Sequence, residues 1–147
     1  MNEFESTLSK QIELAYSVPL LAGHGGNTGG QTIGSVLSAL STKSITFSDA
    51  GSIIRKEASS GLTVGIILGV LVGFMAYLVG GISVHVSVVV GCTLPILSGV
   101  AGFLASGIPF LCVALGLDPA VIAAPAMTTF VDVSGLTSYF FIAGRVF

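Results

Sequence analysis

The chain has 147 residues, 52% of them hydrophobic and only 8% charged, with a formal net charge of −2. Soluble domains carry about 25% charged residues, so a mean hydropathy of +0.99 at this length excludes a water-soluble fold and makes lipid the solvent. Five basic residues in all form no patch, and nucleic acid is not expected as a partner.

The N-terminal MNEFESTLSK is polar and acidic, without a signal peptide's positive start and short apolar core. The first apolar stretch, about 12–40, is weak. It is interrupted by Pro19 and by the run GHGGNTGG at 23–30. The polar connection 41–60 follows and holds Lys43, Arg55 and Lys56, three of the chain's five basic residues. The positive-inside bias places it in the cytoplasm and, with an even number of spans, both termini outside. Within it, FSDAGSIIRKEA offers Ser48 or Asp49 as an N-cap for a short amphipathic segment on the membrane surface, the alternative being a solvated linker.

The second span, 61–83, is continuous. The third, 84–115, contains Pro95 and Pro109, and Gly80-Gly81 is the break expected between the two. His85, just beyond that break, reads as a headgroup-level residue. Gly116-Leu117-Asp118-Pro119 is a clear boundary: Gly116 ends one helix, Asp118 caps the next, and Pro119 suits its first position. The fourth span is 119–147. A bilayer core needs about 20 apolar residues per helix, and helices satisfy every backbone group in lipid. The expected fold is therefore an all-α integral membrane bundle of four transmembrane helices in one domain.

Small residues at four-residue spacing predict close helix packing. The series are Gly61, Gly65, Gly69 and Gly73 in the second span, Ser98, Gly102 and Ser106 in the third, and Gly26, Gly30, Gly34 and Ser38 in the first. Gly26–Gly30 stands out as a place where a bend would expose carbonyls. Cys92 and Cys112 read as small buried hydrophobes. With no tryptophan, only Tyr16, Tyr77 and Tyr139 can form an aromatic belt.

Of the acidic groups, Glu3, Glu5, Asp49, Glu57 and Asp118 fall in tails or loops, and Glu13 lies near an outer helix start where it reaches water. Asp132 alone is deep in an apolar run. A charge there costs at least ~2.5–3.5 kcal/mol and marks an interior or a water-filled path. Thr128 and Gly135 share its helix face, with Thr129 beside them. Oxygen ligands suit a hard cation, and no Cys-His cluster suits a soft one. A neutral carboxyl in a helix interface and a proton relay are the other readings of Asp132. One carboxylate cannot neutralise a divalent ion, whereas two copies about a two-fold axis can. Magnesium keeps several waters, so a wide pore at such an interface suits it. The chain reads as a transport protein and not an enzyme.

VPLLAGHGGNTGGQT, RKEASSGLTVGIILGVLVG, LGLDPA and TTFVDVSGLTSYFFIA together resemble the membrane domain of MgtE-type magnesium transporters, to which eukaryotic solute-carrier proteins are related. The resemblance implies a homodimeric, multi-pass magnesium channel of the plasma or inner membrane, with a pore between lipid-embedded helices. It places the central carboxylate on Asp132, ion-facing backbone carbonyls on Gly26 and Thr128, and Asn27, Thr129, Gly135 and Gly30 along the path. Relative to the family pattern, the first helix and the cytoplasmic sensor domains lie outside this sequence. Asparagines that some bacterial members carry at the positions of Gly30 and Ala124 are replaced here, leaving fewer pore oxygens. A sodium-coupled exchanger and a non-conducting membrane subunit are the alternatives to a magnesium channel.

Overall fold

The computed structural model describes the backbone of residues 2–79 and 82–147, and side chains from residue 12 onward except 77 and 79–81. The fold is all-α: α1 (Asn2–Ser41), α2 (Ala50–Val79), α3 (Val84–Ala114) and α4 (Pro119–Val146), with a 3-10 turn (Phe47–Asp49) ahead of α2. Three helices among the described residues are long and apolar enough to cross a membrane: Phe47–Ala76, Val84–Ala114 and Pro119–Val146. The chain is an integral membrane protein. Although four spans were expected, α1 is not among these three, because its polar glycine run dilutes the apolar residues. At 1.5 Å per residue its 40 residues reach about 60 Å, twice a bilayer core.

α3 packs against all three other helices, and α1 also packs on α4. α3 is apolar all round, as a central helix must be; Val89, Thr93, Ser98, Ala101, Ala105 and Ser106 are fully buried along it. Its hydroxyls bond back to their own helix: Thr93 to the Val89 carbonyl at 2.7 Å and Ser98 to that of Leu94 at 2.8 Å. Buried polar groups are thereby satisfied without a partner helix.

The α2–α3 seam follows the small-residue pattern. A Cβ on Gly65 would lie 2.6 Å from the Pro95 Cα and 2.7 Å from the Leu94 oxygen. One on Gly61 would strike the Ser98 carbonyl, one on Gly69 that of Gly91, and one on Gly102 that of Glu57. These antiparallel helices meet backbone to backbone, where only glycine fits.

In α1 the packing glycines are not those of the expected series. Gly25 and Gly29 press on Val131, Leu97 and Met127, whereas Gly26, Gly30 and Gly34 face open space. Nor does the 23–30 run unwind; it is helical throughout. The glycines stay in the helix because its other faces are held by neighbours: Leu21, Ile33 and Val36 are buried.

Other expectations meet corrections. The segment read as loop up to residue 60 is helical from Ala50, continuous with the span. Its start is organised by Thr46, whose N–H and hydroxyl both donate to the Asp49 carboxylate at 2.8 and 2.9 Å. Tyr139 is no belt residue: it is fully buried, and its hydroxyl donates to the Leu14 carbonyl at 2.9 Å. Tyr16 is exposed, and the Tyr77 side chain and the Gly80-Gly81 break lie outside the described residues. Cys112 is buried, but Cys92 is exposed. Glu13 does not simply reach water; it accepts from the Ser83 N–H at 3.0 Å and so ties α1 to the start of α3. His85 is exposed at the start of α3, its ring 5.5 Å from that of Phe147. The α3–α4 boundary is as read: Gly116 takes φ +69°, and Asp118 accepts from the Ala120 N–H at 2.9 Å.

Candidate functional site

α4 is held on one side only. Ala123, Met127, Val131, Gly135, Tyr139 and Ala143 form its buried stripe, spaced at four residues as one helical face. Asp132 follows Val131 in sequence and is exposed. It borders a niche of about 10 Å³ walled by Leu21, Ala22, Leu97, Val131, Gly135 and Leu136. A water needs roughly that much space and several polar partners, and this niche offers apolar walls. Among the described residues the Asp132 carboxylate has no hydrogen-bond or ion-pair partner.

Thr128, one turn before Asp132, is exposed on the same face, as is Ala124. The Thr128 hydroxyl donates to the Ala124 and Pro125 carbonyls at 3.2 and 3.0 Å, and that of Thr129 to Pro125 at 3.0 Å. Pro125 has no N–H to give the ladder. With their protons engaged on the helix, both hydroxyl oxygens keep lone pairs free for a cation.

α1 runs antiparallel to α4, Gly25 against Val131 and Gly29 against Met127. That register sets the open Gly26 and Gly30 on the strip of α1 next to the packed glycines. Two candidates depart from the face on which the sequence put them. Gly135 is buried, with a Cβ position 2.7 Å from Leu97, and serves α3–α4 packing. Asn27 lines a different space, a cleft of about 440 Å³ between α1 and α2.

That cleft was missed at the level of sequence. Its lining includes His24, Asn27, Gln31, Thr32, Glu57 and Ser60. His24 Nε2 and Ser98 Oγ are 2.6 Å apart, and the Thr32 hydroxyl donates to Glu57 Oε2 at 3.3 Å. The polar spacing His24, Thr28, Gln31, Ser35 on one helical face was the available signal. It was hidden by the glycines between, and by Glu57 reading as loop. Among the described residues no group of three or more His, Cys, Asp or Glu side chains could hold a metal ion, so a cation here would need neutral oxygens or a second chain.

Residues 18–142 match the family model for MgtE, described as a divalent cation transporter. The chain is 36% identical over 142 residues to the magnesium transporter MgtE of Thermus thermophilus, covering 95% of this chain and 31% of that protein. It is 32% identical over 146 residues to the magnesium transporter MgtE of Enterococcus faecalis, covering 97% and 31%. It is 28% identical over 140 residues to that of Bacillus subtilis, covering 95% and 31%. The chain thus spans about a third of the length of these relatives.

Proposed function

The chain belongs to the MgtE family of divalent cation transporters, and from that premise we propose that it conducts magnesium across the membrane along a path between two copies of itself. Asp132 of each copy supplies the central carboxylate. The Thr128 and Gly26 carbonyls and the Thr129 hydroxyl add oxygens, and Gly30 keeps the path wide. The observation that carries this reading is the isolation of Asp132. It is exposed on a membrane-spanning helix, beside apolar walls, with no partner among the described residues. A carboxylate so placed is expensive unless something outside the chain answers it.

A second copy about a two-fold axis would bring two such carboxylates to one divalent ion. Two carboxylates with a few carbonyls suit a hard cation that keeps much of its water. The open strip of Gly26, Gly30 and Gly34 supports the same reading, because glycines leave room where a hydrated ion must pass. Asn27 contributes from the α1–α2 side of the helix and not beside Asp132.

The test is magnesium uptake into liposomes containing the purified chain. Asp132→Asn and Asp132→Ala are expected to abolish uptake while insertion and dimer formation persist. Wild-type flux in both variants overturns the proposal. Flux that requires a sodium gradient replaces the channel with an exchanger, and no flux from well-folded wild-type dimers assigns the chain a non-conducting role.

A further inference from the structure

We propose that the cleft between α1 and α2 is a second cation site, taking one divalent cation that keeps its hydration shell and whose charge the Glu57 carboxylate offsets only in part. It shares no lining residue with the Asp132 niche, and Asn27 is the one residue it has in common with the proposed path, so the Glu57 carboxylate can be tested apart from Asp132.

Glu57 sits on a firm base. A Cβ on Gly102 would strike the Glu57 carbonyl, so α3 presses directly on its backbone. Its side chain lies across the cleft toward α1, where the Thr32 hydroxyl donates to Oε2. The other carboxylate oxygen is 4.0 Å from the Lys56 ammonium, whose side chain is 80% exposed. Such a surface contact in high dielectric neutralises little, and the negative charge is left facing the cleft.

The remaining lining matches a hard cation. Asn27 and Gln31 bring amide oxygens and Ser60 a hydroxyl, and among the described residues none of the three side chains has a hydrogen-bond partner. His24 Nε2 is held against Ser98 Oγ at 2.6 Å, so the oxygen-bearing side chains make up most of the remaining lining. Size decides how the ion binds. At ~30 Å³ of liquid volume per water, the cleft's volume of about 440 Å³ holds on the order of a dozen waters. That is too wide for a bare ion to touch all walls. It fits a cation that dehydrates reluctantly, contacting Glu57 and reaching the amides through its own waters.

The experiment is manganese binding to the purified full chain, read by the electron paramagnetic resonance signal of free Mn2+, in the Asp132→Asn background. One Mn2+ per chain is expected to remain bound and to be displaced by magnesium. Adding Glu57→Gln, which keeps an acceptor for Thr32, should weaken it about tenfold or more, and Gln31→Glu, which adds a second carboxylate, should tighten it about tenfold. Absence of bound Mn2+ in Asp132→Asn overturns the site, as does affinity unchanged by either cleft variant. If Glu57→Gln fails to give a folded protein by thermal melting, Gln31→Glu decides alone. Loss of uptake in Asp132→Asn with Mn2+ retained separates this site from the proposed pore.

Discussion

Two glycine series run along this bundle at the same four-residue spacing, and they do opposite things. On α2, Gly61, Gly65 and Gly69 are closed under α3, backbone against backbone. On α1, a Cβ at Gly26, Gly30 or Gly34 would meet nothing within 4 Å among the described residues, while the packing falls to Gly25 and Gly29 one residue earlier. Periodicity therefore reports that a helix has a flat face, not what lies against it. The closed face holds the fold together. The open one lies on α1, which packs beside α4 and its Asp132.

The largest expected break in the comparison is at the closed seam. Gly65→Ala puts a methyl 2.6 Å from the Pro95 Cα, a backbone atom that cannot turn aside. Overpacking of this kind costs ~1–3 kcal/mol, and a fall of several degrees in the melting temperature in detergent is expected. An unchanged melt would mean that α2 and α3 are not in backbone contact.

The same type of change on the open face should behave in the reverse way. At Gly26 an added Cβ meets nothing within 4 Å, and Gly26→Leu removes a poor helix former, worth up to ~1 kcal/mol. Stability in detergent is expected to hold or rise, while magnesium uptake falls by about tenfold or more. Unchanged uptake would remove α1 from the ion path. The smallest effect is expected at Tyr139→Phe, which deletes one hydrogen bond from α4 to the Leu14 carbonyl. The loss should be ~1 kcal/mol, visible as a small melting shift with uptake intact, since Tyr139 lies about two turns along α4 from Asp132.

Much of the architecture was legible because it depends on local chemistry. The Gly116–Pro119 boundary needed only a residue free to take positive φ, a carboxylate to cap and a ring that starts a helix. The α2 seam was visible because every fourth residue is glycine over three turns. Asp132 stood out because no other acidic residue shares its apolar run. Other residues were misread where the deciding contact is distant in sequence. Tyr139 looked like an interface tyrosine until Leu14 was found against it. Glu13 looked like a solvated acid, and its partner is the Ser83 N–H, 70 positions away. Glu57, beside Arg55 and Lys56, had the composition of a loop, yet charged residues are good helix formers once a cap has started the helix.

The sequence by itself determined that this is a helical membrane protein, where α3 gives way to α4, and which carboxylate has no inexpensive place in lipid. Those follow from composition, capping and the cost of burying charge, each read from a few neighbouring residues. Only the tertiary structure decided which glycines close a seam and which stay open, because that depends on the rotation of each helix about its axis. It also brought Asn27, Gln31 and Glu57 to one cleft, since residues on different helices meet only when the bundle sets the register between them.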